Sequence, residues 1–326
     1  MRFRISHIAS LNTSCRSFAF KSKSTVEYIY GASVVIPALE TKKRRIQKLL
    51  VSVDTFHGSI FRKPVRNAQS VEKEGSAVDI AIELAMDLEI PIQEYPRQKL
   101  DTLTENKPNQ GLALMTAPFN VPMIKSLGPF SPPTIDEPVT YIAKETNTKH
   151  IDFMLNTRRA FPLWLALDRV VDPQNLGAII RTAYFFGVDG VVITDKESAP
   201  LNPTVSKASS GAMEVMDIFK TSSISKFIQE SSEAGWYIYG TDLKGGPEKS
   251  LVIDPTYETP SLLHSPTILV MGNEGIGLRS SVTKLCDKHL ILKSEREEEM
   301  TTSKYQIDSL NVSVAAGILI QRILDS

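Results

Sequence analysis

Short apolar runs alternate with helical patterns over the second half of the chain, and this alternation limits what the chain can fold into. Runs of strand length lie at 163–167, 191–193, 236–239, 268–271 and 290–292. Strands that alternate with helices predict βαβ units and a parallel sheet, which binds ligands at the carboxyl ends of its strands. We therefore expect an α/β domain over 161–326.

The first helix of this domain has clear sequence signals at both ends. Asp172 can cap it, and Pro173 suits its first position, where a missing N–H costs nothing. Gly187 is expected to end it. Asn202 and Pro203 repeat the cap-and-proline signal at the next helix. Loop-to-helix junctions thus follow directly after the strands, where the ligand site is expected.

The first part of the chain, 25–118, mixes strand and helix patterns and predicts a separate, small α/β domain. The basic run 42–45 is expected in a helix, where it either faces solvent or contacts RNA. A buried strand is expected at 49–53, a helix at 78–88 and a short strand at 112–115. If this domain binds RNA, it must do so through local basic patches of this kind.

Proline is concentrated between the two predicted domains. Six of the 19 prolines lie from Pro118 to Pro138. Proline removes a backbone donor and fixes φ, so we expect 119–160 to be a linker or surface crossing rather than core. Ordered structure is expected to resume near Phe161.

Residues 1–24 carry five Lys and Arg and no acid, together with serines and interspersed apolar residues. This composition is typical of a mitochondrial or plastid transit peptide. A disordered basic arm that touches nucleic acid is the alternative. The apolar residues favour the transit peptide, and so a protein of the mitochondrial matrix. The rest of the chain, with 37 − 5 = 32 basic and 37 acidic residues, does not resemble a general nucleic-acid coat.

Several classes of site find no support. The five histidines are scattered and there are only two cysteines, so we predict neither a metal site nor a disulfide framework. No P-loop motif occurs. Residues 275–280 look like a broken dinucleotide fingerprint, because Ser280 replaces the third glycine and the motif comes late in the domain. A dinucleotide oxidoreductase remains an outside alternative. No uncharged apolar run is long enough to span a membrane.

Polar residues and glycines mark three junctions of the second domain. They lie at 172–181, 272–277 and 308–317. Asn175 lies in the first turn of its helix, where free N–H groups favour an anion. Arg181 lies off the apolar face of that helix and suits a phosphate or a developing oxyanion. Together the junctions predict one site assembled from distant parts of the sequence.

Each junction also has a plain structural explanation. Arg181 can pair with a surface carboxylate, and Asn273 with Glu274 can simply form a turn. Ser309 is well suited to cap the last helix, which is expected over 310–324. The functional interpretation depends on the three junctions occurring together.

All three junctions resemble motifs of the SpoU-type RNA ribose methyltransferases of the SPOUT superfamily. Residues 172–187 (beginning DPQNLGAIIRTA) with 202–212 resemble motif 1, and 271–278 (MGNEGIGL) resemble motif 2. Residues 309–317 (SLNVSVAAG) resemble motif 3. In the first domain, Tyr30-Gly31 and Asn109-Gln110-Gly111 resemble the ribosomal-protein-like substrate domain of the rRNA subgroup.

The resemblance implies a fold, a cofactor and a set of site residues. It implies a C-terminal trefoil knot, S-adenosylmethionine bound in the knot, and a homodimer whose active site uses both subunits. The implied catalytic residues are Arg181, Asn175, Glu274, Ser309 and Asn311. The implied cofactor residues are Val270, Met271, Gly272, Asn273, Glu274, Gly275, Ile291, Leu310 and Asn311. Arginine is effectively always protonated, so we expect Arg181 to orient phosphate and stabilise an oxyanion.

The presequence narrows the resemblance to members that methylate a guanosine ribose 2′-OH in mitochondrial large-subunit rRNA. The expected partner is that rRNA or its assembling particle. The alternatives are a tRNA ribose 2′-O-methyltransferase and a non-catalytic RNA-binding ribosome-assembly factor. The acidic segment 295–305 is expected to be an exposed loop insertion before the last helix. The face 314–319 of that helix is expected to meet a second subunit.

Overall fold

The computed structural model describes most of the chain in eight segments. They are 26–60, 76–131, 140–145, 150–154, 159–242, 250–253, 262–293 and 310–325. The expected transit peptide 1–24, the acidic segment 295–305 and Ser309 lie outside the described residues. A search of the described residues finds no helix with the length and hydropathy of a membrane span.

A four-stranded sheet with helices forms the N-terminal domain. Its strand order is β1-β4-β2-β3, with β2 and β3 parallel and the other pairs antiparallel. The strands are β1 (Glu27–Tyr30), β2 (Ile46–Ser52), β3 (Ile92–Tyr95) and β4 (Leu112–Thr116). The helices are α1 (Ala32–Thr41), α2 (Val53–Ile60), α3 (Ala77–Asp87) and α4 (Arg97–Leu103). The predicted small α/β domain is confirmed.

The basic run 42–45 does not form the expected helix. Lys42 ends α1 in the left-handed region with φ 55°, and β2 begins at Ile46. Strand β2 lies between β4 and β3, and its residues 49–52 are buried. A central strand that buries its apolar residues overrides the helical pattern that the sequence suggests here.

A three-stranded antiparallel sheet occupies part of the expected linker. Its strands are β5 (Ile124–Phe130), β6 (Thr140–Glu145) and β7 (His150–Met154). Ile124 and Leu127 are fully buried, and the indole Nε1 of Trp236 donates to the Gly128 carbonyl at 2.8 Å. The expectation that this segment avoids the core is therefore wrong. Proline fits here because β5 is an edge strand, where Pro129 near its end is tolerated.

Seven parallel strands form the sheet of the second domain, in the order β10-β9-β8-β13-β11-β14-β12. They are β8 (Leu163–Leu167), β9 (Gly190–Thr194), β10 (Ile218–Thr221), β11 (Tyr237–Thr241), β12 (Ser250–Ile253), β13 (Thr267–Met271) and β14 (Lys288–Leu292). The helices are α5 (Pro173–Phe186), α6 (Pro203–Ala208), α7 (Ala212–Val215), α8 (Ile224–Glu233), α9 (Ser280–Thr283) and α10 (Val312–Leu324). Every ladder described between these strands is parallel, which confirms the predicted sheet.

Strand β8 shows why the apolar runs are continuous. All five of its residues are fully buried. Leu163, Leu165 and Leu167 join the core beneath α5 and α10, whereas Trp164 and Ala166 join the core beneath α8. Alternate side chains of a strand point to opposite faces, so both faces of this sheet are covered.

A buried ion pair joins the two domains. The Arg44 side chain is fully buried and donates from Nε (2.8 Å) and Nη2 (3.0 Å) to the Glu214 carboxylate. Its Nη1 donates to Glu27 at 2.9 Å, and the Ser206 hydroxyl donates to Glu214 at 2.7 Å. Two charges buried together must satisfy each other, because either alone is costly in an apolar interior. Arg44, which is part of the basic run, therefore holds the two domains together. It fills neither role expected of that run, which was to face solvent or to contact RNA.

Candidate functional site

Two loops meet at the carboxyl edge of the parallel sheet. Strands β8 and β13 are parallel neighbours that end together, with Leu167 paired to Met271. The Asp168 amide then donates to the Met271 carbonyl at 2.8 Å. Segments 168–172 and 272–279 consequently leave the sheet side by side, where the fold class predicts the ligand site.

Helix α5 begins at this edge as the sequence predicts. The Asp172 carboxylate accepts from the Gln174 amide at 2.9 Å, Pro173 takes the first turn, and Gly187 ends the helix at φ 71°. Within the helix Asn175 is buried with 7% of its surface exposed, whereas Arg181 is exposed. The helix thus directs an amide toward the protein interior and an arginine outward.

Asn311 connects the last helix to α5. Its amide nitrogen donates to the Asn175 side-chain oxygen at 3.0 Å. Its own side-chain oxygen accepts from the amide (2.8 Å) and hydroxyl (2.6 Å) of Ser313. Asn311 is therefore the N-cap of α10, and the expectation that Ser309 caps a helix starting at residue 310 is wrong. Asparagine caps as well as serine, so the sequence alone does not separate the two positions.

The 272–279 loop is closed by one asparagine. The Asn273 oxygen accepts from the amides of Gly275 (3.0 Å) and Ile276 (3.3 Å). Its nitrogen donates to the Arg169 carbonyl at 3.1 Å, which ties the loop to the segment after β8. A Cβ on Gly272 would lie 2.4 Å from the Gly277 carbonyl carbon, so only glycine fits there.

A cavity of about 240 Å³ opens where these segments meet. It is lined by Val170, Val171, Asp172, Asn273, Glu274, Gly275 and Val312. Its wall therefore contains residues of all three junctions, which are far apart in sequence. The three junctions that are predicted to form one site therefore meet at this cavity.

Known proteins share both domains of this chain. A model of the SpoU rRNA Methylase family matches residues 162–321, and a model of RNA 2′-O ribose methyltransferase substrate binding matches 65–122. The mitochondrial rRNA methyltransferase 1 of Homo sapiens is 33% identical over 92% of this chain and 73% of its own length. The chain belongs to the SpoU rRNA methylase family.

Other SpoU relatives extend the comparison. The mitochondrial rRNA methyltransferase 1 of Dictyostelium discoideum is 36% identical over 82% of this chain, which spans 48% of that relative. The 23S rRNA (guanosine-2′-O-)-methyltransferase RlmB of Pseudomonas aeruginosa is 32% identical over 91% of this chain and 96% of its own length. An AdoMet-bound rRNA methyltransferase from Sinorhizobium meliloti has the same fold, with TM-score 0.60 at 19% identity over 91% of this chain and 86% of that chain.

The remaining expected SpoU site residues are dispersed. Val270 and Met271 are buried at the end of β13, and Ile291 lies on β14, paired with Val252. Leu310 is 52% exposed at the start of the last described segment. The Arg181 side chain has no hydrogen bond or ion pair to any residue that the structure describes. Of the nine expected cofactor residues, Asn273, Glu274 and Gly275 line the cavity and the other six do not. Arg181 does not line it either.

Lys207, in the second part of motif 1, contacts the first domain instead of the cavity. Its ammonium donates to the Pro108 carbonyl at 3.0 Å and lies 5.4 Å from the centre of the Tyr30 ring. Burial lowers the pKa of this lysine. The contact places the Tyr30-Gly31 start and the loop before β4 on α6 of the same chain.

Sequence reasoning missed an ion cluster beside the 272–279 loop. Arg279 donates to Asp168 from Nε (3.1 Å) and Nη2 (2.5 Å), and its Nη1 lies 3.0 Å from Glu197. Hydrogen bonding to Asp168 raises the pKa of the Arg279 guanidinium. The position of Asp168 immediately after a strand is the sequence signal for this cluster, whereas Arg279 stands within the broken dinucleotide motif at 275–280.

Proposed function

We propose that this protein transfers a methyl group from S-adenosylmethionine to the ribose 2′-OH of a guanosine in mitochondrial large-subunit rRNA. As a SpoU family member it is an S-adenosylmethionine-dependent methyltransferase. The observation that carries the proposal is the Asn311–Asn175 hydrogen bond beside a cavity lined from all three motifs. The named activities of its relatives in human and Dictyostelium support rRNA and the mitochondrion, and that of the Pseudomonas relative supports guanosine.

The described residues of the cavity fit the cofactor. Val170, Val171 and Val312 offer apolar walls for the adenosine and methylene groups. The carboxylates of Asp172 and Glu274 favour a positively charged sulfonium. When bound, the cofactor supplies an activated methyl group. The protein's part is then to hold the ribose oxygen in line with that methyl, because positioning carries much of the rate.

Arg181 is proposed to act on the RNA. It lies six residues after Asn175 on α5, about 9 Å along the helix axis. Its exposed guanidinium is available for a planar, bidentate contact with phosphate. Because arginine stays protonated, its proposed role is to orient the RNA and stabilise negative charge on the 2′-oxygen.

The proposal includes a homodimer that completes the site. Tyr184 and Phe185 of α5 are 51% and 80% exposed, and Val314 of α10 is 50% exposed. These two helices pack together, so the exposed groups belong to neighbouring elements. Leu319 is 1% exposed within the core, so the expected face 314–319 is wrong at that position. The proposed partner face of α10 instead contains Val314.

A C-terminal knot is part of the same proposal. Strand β14 lies two places from β13 in the sheet, yet α10 packs against both α5 and β13. Helix α10 therefore lies back across the sheet from β14, and Val312 reaches the cavity. These positions of β14 and α10 support the knot that the family resemblance implies.

Calorimetric titration of the full-length protein with S-adenosylmethionine tests the cofactor site. Mapping ribose methylation on mitochondrial rRNA and tRNA, with wild-type protein or the Arg181→Ala variant, tests the reaction. We expect cofactor binding by both proteins and one guanosine methylated only by the wild type. Absence of cofactor binding by the wild type would falsify the proposal. Methylation restricted to tRNA would support the tRNA alternative.

A further inference from the structure

Arg279 joins three segments at the carboxyl edge of the sheet. It precedes α9, and its side chain makes two hydrogen bonds to Asp168, which directly follows β8. Its third nitrogen pairs with Glu197, which lies beyond β9. One side chain thereby connects the ends of two neighbouring strands to the far end of the 272–279 loop.

The Asp168 carboxylate makes this contact strong. Asp168 is fully buried, so its charge depends on nearby cations. Arg279 binds it with two hydrogen bonds, whereas Arg169 approaches it only to 3.8 Å. A bidentate guanidinium–carboxylate pair fixes direction as well as distance.

The loop is held at both ends by adjacent residues. Asn273 donates to the Arg169 carbonyl near the loop's start, and Arg279 binds Asp168 at its end. Between these attachments lie the cavity residues Glu274 and Gly275. Glycine gives this stretch little stiffness of its own. The attachments therefore hold its conformation together with the hydrogen bonds that Asn273 makes inside the loop.

We propose that Arg279 is a positioning residue: its ion pair with Asp168 holds the 272–279 loop in the form that binds S-adenosylmethionine. This rests on the proposed function, because the cavity beside the loop must be the cofactor site. Arg279 itself does not line the cavity. It acts through the loop backbone, and Glu197 supports it from the solvent side.

Hydrogen exchange in the cofactor-free, full-length protein tests the positioning directly. The reporters are the amides of Gly275 and Ile276, which bond to the Asn273 oxygen. We expect Arg279→Met to speed their exchange at least tenfold. Arg97→Met is the matched control, because the Arg97–Asp101 pair is exposed on the first domain. That variant is expected to leave both amides unchanged.

Cofactor affinity and turnover separate positioning from catalysis. We expect Arg279→Met to raise the Kd for S-adenosylmethionine at least tenfold, with kcat at saturating cofactor within threefold of wild type. Arg279→Lys keeps the charge but not the bidentate geometry, so it should recover only part of the affinity. Wild-type exchange and affinity in Arg279→Met would overturn the proposal.

A double variant removes the effect of a buried, unpaired charge. Asp168→Asn combined with Arg279→Met should unfold at nearly the wild-type urea concentration but still bind the cofactor weakly. Wild-type affinity in this double variant would contradict positioning by the ion pair. If the wild type itself binds no cofactor, the proposed function fails, whereas amide exchange at Gly275 and Ile276 still decides whether Arg279 holds the loop.

Discussion

The Asn311 amide donates to the Asn175 side-chain oxygen at 3.0 Å, although the two residues are 136 positions apart. The acceptor is buried in the first turn of α5, and the donor caps α10. One hydrogen bond thereby fixes the relative position of two helix starts at the edge of the cavity. Because both partners are amides, each can also satisfy a second group, and Asn311 does so at Ser313.

Replacement of Asn311 by alanine should reduce both stability and activity. Loss of the cap costs about 1 kcal/mol, and an unpaired buried oxygen on Asn175 costs about 1–3 kcal/mol. We expect urea unfolding to show a total loss of roughly 2–4 kcal/mol, with methyl transfer also lost. Asn311→Ser is the control, since serine keeps the cap but cannot reach Asn175 in the same way. This variant should restore about 1 kcal/mol of stability but leave methyl transfer impaired. Full methyl-transfer activity in Asn311→Ser would contradict a role for the Asn175 contact.

The buried pair between the domains should be far more sensitive than its exposed neighbour. Arg44→Met leaves Glu214 buried without its cation, which costs about 3–5 kcal/mol in urea unfolding. The matched control is Lys43→Met, because the side chains of Lys43 and Asp217 are 32% and 49% exposed. That change should cost no more than about 1 kcal/mol.

The outcome that decides this interpretation is the double variant Arg44→Met with Glu214→Met. Removing both charges together should recover most of the lost stability, since apolar side chains can replace a buried pair at little cost. If Arg44→Met and Lys43→Met were equally stable, the Arg44 pair would not hold the domains together.

Local patterns predicted the elements well, and tertiary contacts decided the exceptions. Periodicity and caps located the parallel sheet and both ends of α5, because those signals act within a few residues. The role of Arg44 depends on Glu214, 170 positions away, and no local signal reports such a partner. Burial of β5 likewise depends on Trp236, which lies 108 positions after Gly128.

The same reason limits prediction of the site. Family resemblance identified the junctions that meet at the cavity, but Arg279 and Asp168 were missed because their pairing spans 111 positions. Arg181 was expected on the outer face of α5, and the structure places it there.

The 124–130 strand should contribute to the stability of the second domain. Leu127 is fully buried, and its amide donates to the Ser231 hydroxyl at 3.0 Å. We expect Leu127→Ala to cost about 2–5 kcal/mol, measured by urea unfolding followed at Trp236. Val252→Ala at a 52% exposed position is the control and should stay within about 0.5 kcal/mol. If both variants lost similar amounts of unfolding free energy, the segment would be a linker that does not stabilise the second domain.

Asp189 should make stability depend on pH in the mildly acidic range. Its carboxylate accepts from the Leu163 amide at 2.8 Å, and burial raises its pKa from 3.8 to about 6. The folded state then binds more protons than the unfolded state between pH 4 and 6, so this group's contribution to stability falls as pH rises through that window. The shift of about two units corresponds to roughly 3 kcal/mol.

Asp189→Asn keeps an acceptor for the Leu163 amide but removes the titrating group. Urea unfolding at several values from pH 4 to 7 should show that the free energy of unfolding depends less on pH in the variant than in the wild type. The variant should also be stabilised relative to the wild type, by more at pH 7 than at pH 4. The sign follows because the ionised carboxylate is the form that burial penalises. An unchanged slope in the variant would show that another group titrates in this window.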